Sequence, residues 1–500
     1  MTSIPAVHAA LAALTLVMAW TGASVQAAPS PPSLLDASIY APPAGWLDQP
    51  HGKLLKTSPV LRPGQADNTA NAVLSALAAK AHYTKAVRAW RVAYTTTGAD
   101  PELRPTVPGS PSLATGIIIA PVDAPWSATA SRPVIVFAPK TQGLGSHCAP
   151  SKALELGTEE TSEVARMAAA LDQGYLLAIT DYDGYTDHSQ AHRYLVGQSL
   201  GHAVLDMALA VKQAIPIIDA DDLPDAAGNK LIKVNPGSPM VIWGYSEGGT
   251  AAAWAGQQLP SYAPSLLSEI KAIATGGMVA DSKVATQALD WSPASGLMIA
   301  GVWGFHVAYP QSYAAGGLYF DLNSIFWKEM LGDDFVRKRL LNPPATDTPG
   351  TFLHPDECVD QSVSHNMFKT MAFRNQGGYR VSQLISDTPT RQLHWDRVLQ
   401  VNQVGNMKIP VPTFYYHGSI ATSLRSDGMA RDGDVILPAT NFNEVFKRMC
   451  ASGTKLWRKV YLSKHYLELN HETVSDRAFG DVLAWLGERI DQVPDTATCN

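Results

Sequence analysis

The segment that decides the fold reads Pro239-Met240-Val241-Ile242-Trp243-Gly244-Tyr245-Ser246-Glu247-Gly248-Gly249-Thr250-Ala251-Ala252-Ala253-Trp254. Residues 240–243 form a short apolar run, which is typical of a buried strand. The alanine-rich end predicts a helix. Glycines at 244 and 248 allow the chain to reverse sharply between the two. The sequence therefore predicts a strand, a tight turn and a helix, with Ser246 at the apex.

This arrangement is the nucleophile elbow of α/β-hydrolases, in which a strained turn exposes a serine next to the start of a helix. A second match, Gly197-Gln198-Ser199-Leu200-Gly201, follows a polar stretch instead of a buried strand. We interpret Ser199 as a capping or first-turn residue of a helix. Ser246 is the predicted nucleophile.

The rest of the chain alternates predicted strands and helices. This alternation predicts an α/β-hydrolase fold, a mostly parallel sheet with helices on both faces. Between 281 and 401 the alternation stops, and an aromatic-rich segment predicts a largely helical cap over the serine. The predicted strands are 91–96, 115–120, 133–138, 175–180, 240–243, 272–275, 411–416 and 456–461, and the helices named here are 70–89, 159–173 and 476–490.

We divide the chain by these patterns. Residues 9–20 are nearly all apolar but too short to span a bilayer, and small residues at 25 and 27 fit a cleavage site, which predicts a signal peptide. An uncleaved anchor is the alternative, since no Lys or Arg precedes the apolar run. The predicted divisions are 1–27 signal peptide, 28–84 N-terminal arm and helix, 85–280 first part of the core, 281–401 cap insertion and 402–500 second part of the core.

Charge and cysteine content limit the possible partners. A net charge of −6 gives no indication of nucleic acid binding or of an anionic membrane surface. Four cysteines in an exported chain predict disulfides, with three possible pairings. No close Cys-x-x-Cys pair and no histidine spacing indicates a metal site. We expect no metal, no cofactor and no membrane span after removal of the signal. The expected partner is a lipid or other ester substrate, with a lipid–water interface as a candidate site of action.

A serine nucleophile needs a histidine base and a carboxylate that orients it, and in this fold they follow in the order Ser, acid, His. Asp434 is the favoured acid because residues 435–438 tie it to the next ordered element. Asp427 and Asp432 lie in a glycine-containing stretch of the same loop and stay open. Only His465 and His471 follow, and His471 is favoured because it comes just before the final helix.

The developing negative charge on the substrate oxygen needs N–H donors. One is predicted to be the backbone amide of Glu247, the residue after the nucleophile. The other is expected from loop 140–145, which follows an early strand and contains two glycines. Which residue of this loop donates is left open.

Taken together, these motifs resemble the secretory lipase family, the lipase A type of α/β-hydrolase, over most of the chain. Besides the elbow, the resemblance is carried by Thr141-Gln142-Gly143, Cys148-Ala149-Pro150-Ser151, Asp181-Tyr182-Asp183-Gly184, Tyr194-Leu195-Val196-Gly197 and Asp434-Val435-Ile436-Leu437-Pro438. Two features depart from the family pattern: Lys140 stands where glycine is common, and residues 419–433 form a longer gap before the acid.

The resemblance implies ester hydrolysis through an acyl-enzyme, with Ser246 as nucleophile, Asp434 as acid and His471 as base. It also implies oxyanion donors near Gln142 and at Glu247. The implied disulfides are Cys148–Cys358 and Cys450–Cys499.

The sequence thus predicts a secreted serine hydrolase of carboxylic esters, with a triacylglycerol lipase as the favoured hypothesis. An esterase for short or bulky soluble esters is the alternative within the same chemistry, and a peptidase or acyltransferase could use the same triad. A non-catalytic secreted binding protein on the same fold is the alternative of another class.

Overall fold

A mixed sheet organises the part of the chain that the computed structural model describes. That part comprises residues 37–60, 72–122, 131–159, 161–186, 192–221, 230, 232–289, 295–309, 358, 389–434, 436–465, 468–493, 497 and 499. The strands are β1 (Leu54–Pro59), β2 (Val87–Thr97), β3 (Pro111–Pro121), β4 (Val134–Ala138), β5 (Leu176–Asp183), β6 (Met240–Tyr245), β7 (Ile270–Gly276), β8 (Thr413–Ser419) and β9 (Leu456–Leu462).

The strand order in space is β1-β2-β3-β5-β4-β6-β7-β8-β9. Strands β1, β2, β3 and β5 pair in antiparallel fashion, whereas every pairing from β5 to β9 is parallel. The carboxyl ends of the parallel strands therefore meet along one edge, where ligand sites of such sheets form. The predicted α/β-hydrolase fold is confirmed.

Helices cover both faces of this sheet. They are α1 (Ala72–Ala81), α2 (Pro150–Leu156), α3 (Thr161–Asp172), α4 (Gly197–Asp221), α5 (Glu247–Tyr262), α6 (Ser282–Leu289), α7 (Ser295–Ala308), α8 (Pro389–Val401), α9 (Ala439–Ala451) and α10 (His471–Ile490). The long helices α4 and α5 pack against each other and on one face, and α1, α3 and α10 pack on the other.

Strand β4 shows why the central strands are continuous apolar runs. Val134 and Val136 belong to the core beneath α4 and α5, whereas Ile135 and Phe137 belong to the core beneath α3 and α10. Successive side chains of a strand point to opposite faces, so a strand covered on both sides must be apolar at every position.

Two predicted helix boundaries are wrong. The helix predicted over 70–89 ends at Ala81, and residues 87–89 already belong to β2, where pairing with β3 overrides the helix propensity of alanine. The last helix begins at His471 and not at residue 476. A side-chain cap from Asn470 on the first turn explains the earlier start.

The described parts of 281–401 are helical. Phe305 of α7 meets Trp395 of α8 edge to face, with ring centroids 5.8 Å apart. Asn402 connects this pair of helices to the core, because its side chain donates to the Tyr309 hydroxyl and accepts from the backbone amide of Gly197. Residues 290–294, 310–357 and 359–388, which hold other predicted cap aromatics, and the predicted signal peptide 1–27 lie outside the described residues. We retain the predicted division into core and cap as a proposal.

Both disulfides implied by the family resemblance are present. Cys148–Cys358 joins the turn Ser146–Cys148 to the segment between α7 and α8. Cys450–Cys499 joins the last turn of α9 to the chain beyond α10, and it closes a loop with a sequence separation of 49 residues.

Replacing Cys450 and Cys499 together by alanine is expected to lower the free energy of unfolding by about 2–4 kcal/mol, because the unfolded chain regains the freedom of that closed loop. Urea denaturation followed by tryptophan fluorescence measures the change. An unchanged denaturation midpoint and slope would contradict the prediction.

Candidate active site

The turn between β6 and α5 holds Ser246 in an unusual backbone conformation. Its φ is +58° and its ψ is −121°, a region that residues with a side chain seldom occupy. A Cβ atom at Gly244 would lie 2.0 Å from the carbonyl oxygen of Gly248, so only glycine fits there. The sequence prediction of a strained elbow agrees with this geometry.

Three side chains from distant parts of the sequence meet at this turn. His471 Nε2 lies 2.9 Å from Ser246 Oγ, and His471 Nδ1 lies 2.9 Å from Asp434 Oδ2. A carboxylate only accepts, so Nδ1–H donates to Asp434 and Nε2 is left to accept the serine hydroxyl. This tautomer is the one that a general base for serine requires.

Asp434 is held in place by its own loop. Its Oδ1 accepts from the backbone amides of Ile436 at 2.8 Å and Leu437 at 2.7 Å, and its side chain is fully buried. The other two predicted candidates do not face the histidine in this way. Asp432 is exposed, and Asp427 is exposed and paired with Arg425.

His471 opens α10, and the cap on this helix fixes its orientation. The Asn470 side chain accepts from the amides of Glu472 and Thr473, while the Thr473 hydroxyl accepts from the Asn470 amide. The Tyr245 hydroxyl donates to the carbonyl oxygen of His471 at 2.5 Å. The predicted alternative base, His465, is exposed and lies in the loop before this helix.

Burial alone would lower the pKa of His471. The negative charge of Asp434 and the hydrogen bond to it act in the opposite direction and prevail, so the pKa of His471 is raised above 6.5. A raised pKa makes the imidazole a stronger acceptor for the serine proton, but it also keeps more of the base protonated near pH 7.

The predicted oxyanion loop lies next to the elbow because β4 and β6 are parallel neighbours. Ala138 pairs with Gly244, and a Cβ atom at Gly248 would lie 1.9 Å from the carbonyl oxygen of Ala138. Loop 140–145 therefore begins beside the first turn of α5. That turn starts at Glu247, and the leading amides of a helix have no intrahelical acceptor.

Side chains fix the shape of this loop. The Gln142 side chain donates back to the carbonyl oxygen of Lys140 at 3.0 Å. The Tyr185 hydroxyl donates to the carbonyl oxygen of Gly143 at 2.5 Å, and the Tyr194 hydroxyl lies 3.0 Å from Thr141 Oγ1. The side-chain amide of Gln142 is thus used within the loop. The predicted roles of Gln142 and Glu247 as oxyanion donors stay predictions.

Sequence reasoning missed a buried pair behind the elbow. Glu247 and His192 are both buried, and His192 Nε2 lies 2.7 Å from Glu247 Oε1. His192 Nδ1 donates to the carbonyl oxygen of Asp183 at 2.9 Å. The sequence offered one signal for this pair, the carboxylic side chain of Glu247 in a turn that holds no other acidic or basic residue. A buried carboxyl group requires a partner.

The described residues offer one close group of potential metal ligands, His147, Cys148 and Cys358. The two sulfur atoms are joined in the disulfide, so neither is a thiolate ligand. In the described part of the chain, none of the helices combines the length and apolar character that crossing a bilayer requires.

Solved structures share this architecture. Candida antarctica lipase A superposes with a TM-score of 0.60 at 18% identity, covering 94% of this chain and 88% of that one. The rice cell wall degrading esterase LipA from Xanthomonas oryzae gives a TM-score of 0.59 at 15% identity, covering 89% of this chain and 100% of that one. At such identities the likeness concerns the fold. This chain therefore has the α/β-hydrolase fold.

Sequence comparisons are more specific. The profile of the family described as secretory lipase matches residues 150–315. Lipase 5 of Candida albicans is 27% identical over 396 residues, which cover 78% of this chain and 71% of the relative. A secreted triacylglycerol lipase of Malassezia restricta is 24% identical over 295 residues, 58% of this chain and 53% of the relative. The chain is therefore similar to secretory lipases, and this similarity together with its two disulfides confirms the prediction of a secreted protein.

Replacing Asp434 by asparagine is expected to lower kcat by about three to four orders of magnitude, because the imidazolium formed during the reaction loses its carboxylate. The pKa of His471 should also fall. The base acts when neutral, so the acid limb of the kcat/KM profile should move to lower pH. Residual ester hydrolysis by the purified variant, measured against pH, checks both effects.

Asp432→Asn and Asp427→Asn are matched controls, since both remove a carboxylate from the same loop. Both should retain wild-type kcat and the wild-type acid limb. A large loss in either control, with Asp434→Asn active, would transfer the acid role to that residue.

Proposed function

We propose that this protein is a secreted serine hydrolase that cleaves carboxylic esters of lipids, triacylglycerols foremost, through an acyl-enzyme on Ser246. The observation that carries the proposal is the pair of hydrogen bonds that links Asp434 to His471 and His471 to Ser246, each 2.9 Å long. A serine hydroxyl is a weak nucleophile without such a base.

In the first half of the reaction, Ser246 Oγ attacks the ester carbonyl carbon while its proton passes to His471 Nε2. The carbonyl oxygen takes up the electron pair of the C=O π bond and becomes an oxyanion, which the amide of Glu247 and a donor of loop 140–145 stabilise. The intermediate then collapses. The bond to the alkoxy oxygen breaks, His471 returns the proton to that oxygen, and the alcohol leaves.

In the second half, water takes the place of the alcohol. His471 Nε2 removes a proton from the water as its oxygen attacks the acyl carbon, and a second oxyanion forms in the same place. Collapse breaks the acyl–Oγ bond, and the proton on His471 returns to Ser246. The products are a carboxylic acid and the free enzyme. Asp434 stays ionised throughout and stabilises the imidazolium in both halves.

The lipid preference is supported by the apolar sequence of helix α7 and by the names of the relatives. Helix α7 has the sequence Ser-Gly-Leu-Met-Ile-Ala-Gly-Val-Trp-Gly-Phe-His-Val-Ala, which is apolar at most positions. Several relatives carry the name lipase, and two carry the name secreted triacylglycerol lipase. An apolar cap is suited to acyl chains presented at a lipid–water interface.

The proposal predicts that Ser246→Ala abolishes hydrolysis, with a loss of several orders of magnitude in kcat because no acyl-enzyme forms. Wild-type protein should hydrolyse emulsified triolein and p-nitrophenyl octanoate and palmitate. A fluorophosphonate probe should add its mass to the peptide that contains Ser246.

Ser199→Ala is the matched control. Ser199 lies in the second Gly-x-Ser-x-Gly match, is fully buried in α4, and its hydroxyl has no hydrogen-bond partner. Activity and labelling should persist in this variant. Hydrolysis of p-nitrophenyl acetate alone would replace the lipase by the short-chain esterase, and the lack of any labelling of folded wild-type protein would reject the enzyme.

A further inference from the structure

Lys140, which departs from the family pattern, is a buried cation in the oxyanion loop. Its side chain is only 4% exposed, and its ammonium group pairs with the carboxylate of Glu472 and lies 3.0 Å from Ser162 Oγ. Glu472 directly follows His471 in α10 and is half-buried. One ion pair therefore connects the loop after β4 to the first turn of the helix that carries the base.

The backbone of Lys140 is hydrogen-bonded at both its amide and its carbonyl oxygen. Its amide donates to Glu163 Oε1 at 3.2 Å, and its carbonyl oxygen accepts from the Gln142 side chain at 3.0 Å. Glu163 in turn pairs with Arg166, and both side chains are fully buried. Because both peptide groups of Lys140 are bonded, a shift of its ammonium group would be transmitted to loop 140–145.

The charges around His471 come from four elements. Burial would raise the pKa of Glu472, but Lys140 and His471 lower it, so Glu472 is an anion beside the base. Burial raises the pKa of Tyr245, which keeps that phenol neutral. The charged and titratable groups that face His471 and this ion pair are Asp434 after β8, Glu472 and Asp476 on α10, Lys140 after β4, Glu163 and Arg166 on α3, and the phenols Tyr245 and Tyr416.

From this arrangement we propose that Lys140 and Glu472 are positioning residues: their ion pair couples the oxyanion loop to the catalytic base and sets the pH range in which His471 acts. The inference rests on the proposed function. Within the pair, the Glu472 anion favours protonated His471 and the Lys140 cation disfavours it. The effects of the two charges on the pKa of His471 therefore oppose each other, and removal of either charge leaves the other without its counterpart.

The test compares kcat/KM against pH for four forms of the full-length protein: wild type, Lys140→Met, Glu472→Gln and the double variant. Hydrolysis of p-nitrophenyl octanoate is followed at the isosbestic wavelength of p-nitrophenol. Loss of the Lys140 cation stabilises protonated His471, so the acid limb should move to higher pH by about half a unit. Loss of the Glu472 anion should move it to lower pH by a similar amount, and the double variant should return close to wild type.

The pH at which the acid limb of the kcat/KM profile lies does not depend on the fraction of folded enzyme. Fluorophosphonate titration gives the concentration of active sites. Lys140→Arg keeps the charge and should keep the wild-type limb. Lys212→Met is the matched control, because it breaks an ion pair with Glu269. Glu269 lies at the amino end of β7, whereas the site lies at the carboxyl ends of the parallel strands. The Lys212→Met variant should leave the profile unchanged.

The inference would be overturned if the acid limbs of the single variants coincide with that of the wild type, or if both move in the same direction. Either result would leave the proposed function intact. Failure of the wild-type protein to hydrolyse any ester would instead reject the proposed function. Because Glu472 is half-exposed, Glu472→Gln decides the matter even if Lys140→Met does not fold.

Discussion

The close approach of three backbone segments at the elbow is the constraint on which the rest of the structure depends. A Cβ atom at Gly244, Gly248 or Gly249 would lie 2.3 Å or less from a backbone oxygen of the turn itself, of β4 or of β7. These contacts bring β4, β6 and β7 to the same level at their carboxyl ends. Ser246 and His471 then lie within hydrogen-bond distance, and loop 140–145 contacts the helix that carries His471, although these parts come from three separate regions of the chain.

Local patterns were enough to predict the central sheet. They also selected Ser246, Asp434 and His471, three side chains of which His471 lies within hydrogen-bond distance of the other two. A strand covered on both faces leaves a continuous apolar run, and the order serine, acid, histidine leaves few candidates after Ser246. Two predicted helix boundaries were wrong, each for a different reason. Strand pairing decides where α1 ends, and the Asn470 cap decides where α10 begins. The cap was visible in the sequence as Asn470 with Thr473 three residues later.

The buried charges could not be predicted because their partners are distant in sequence. Lys140 and Glu472 are 332 residues apart, and His192 and Glu247 are 55 apart. Composition indicates only that a buried charge needs a partner, not which residue supplies it. One pair joins loop 140–145 to the first turn of α10, and the other holds Glu247, the first residue of α5. The arrangement of the site therefore depends on these polar contacts as well as on the contacts among Ser246, Asp434 and His471.

The disulfide between Cys148 and Cys358 has a consequence for engineering. It anchors the middle of the segment between α7 and α8 a few residues beyond the oxyanion loop. A chimaera that exchanges this segment for one from a relative must supply a cysteine at the matching place, or else it leaves the buried Cys148 thiol unpaired. Grafting of this segment therefore requires that the crosslink be either transplanted or deleted on both sides.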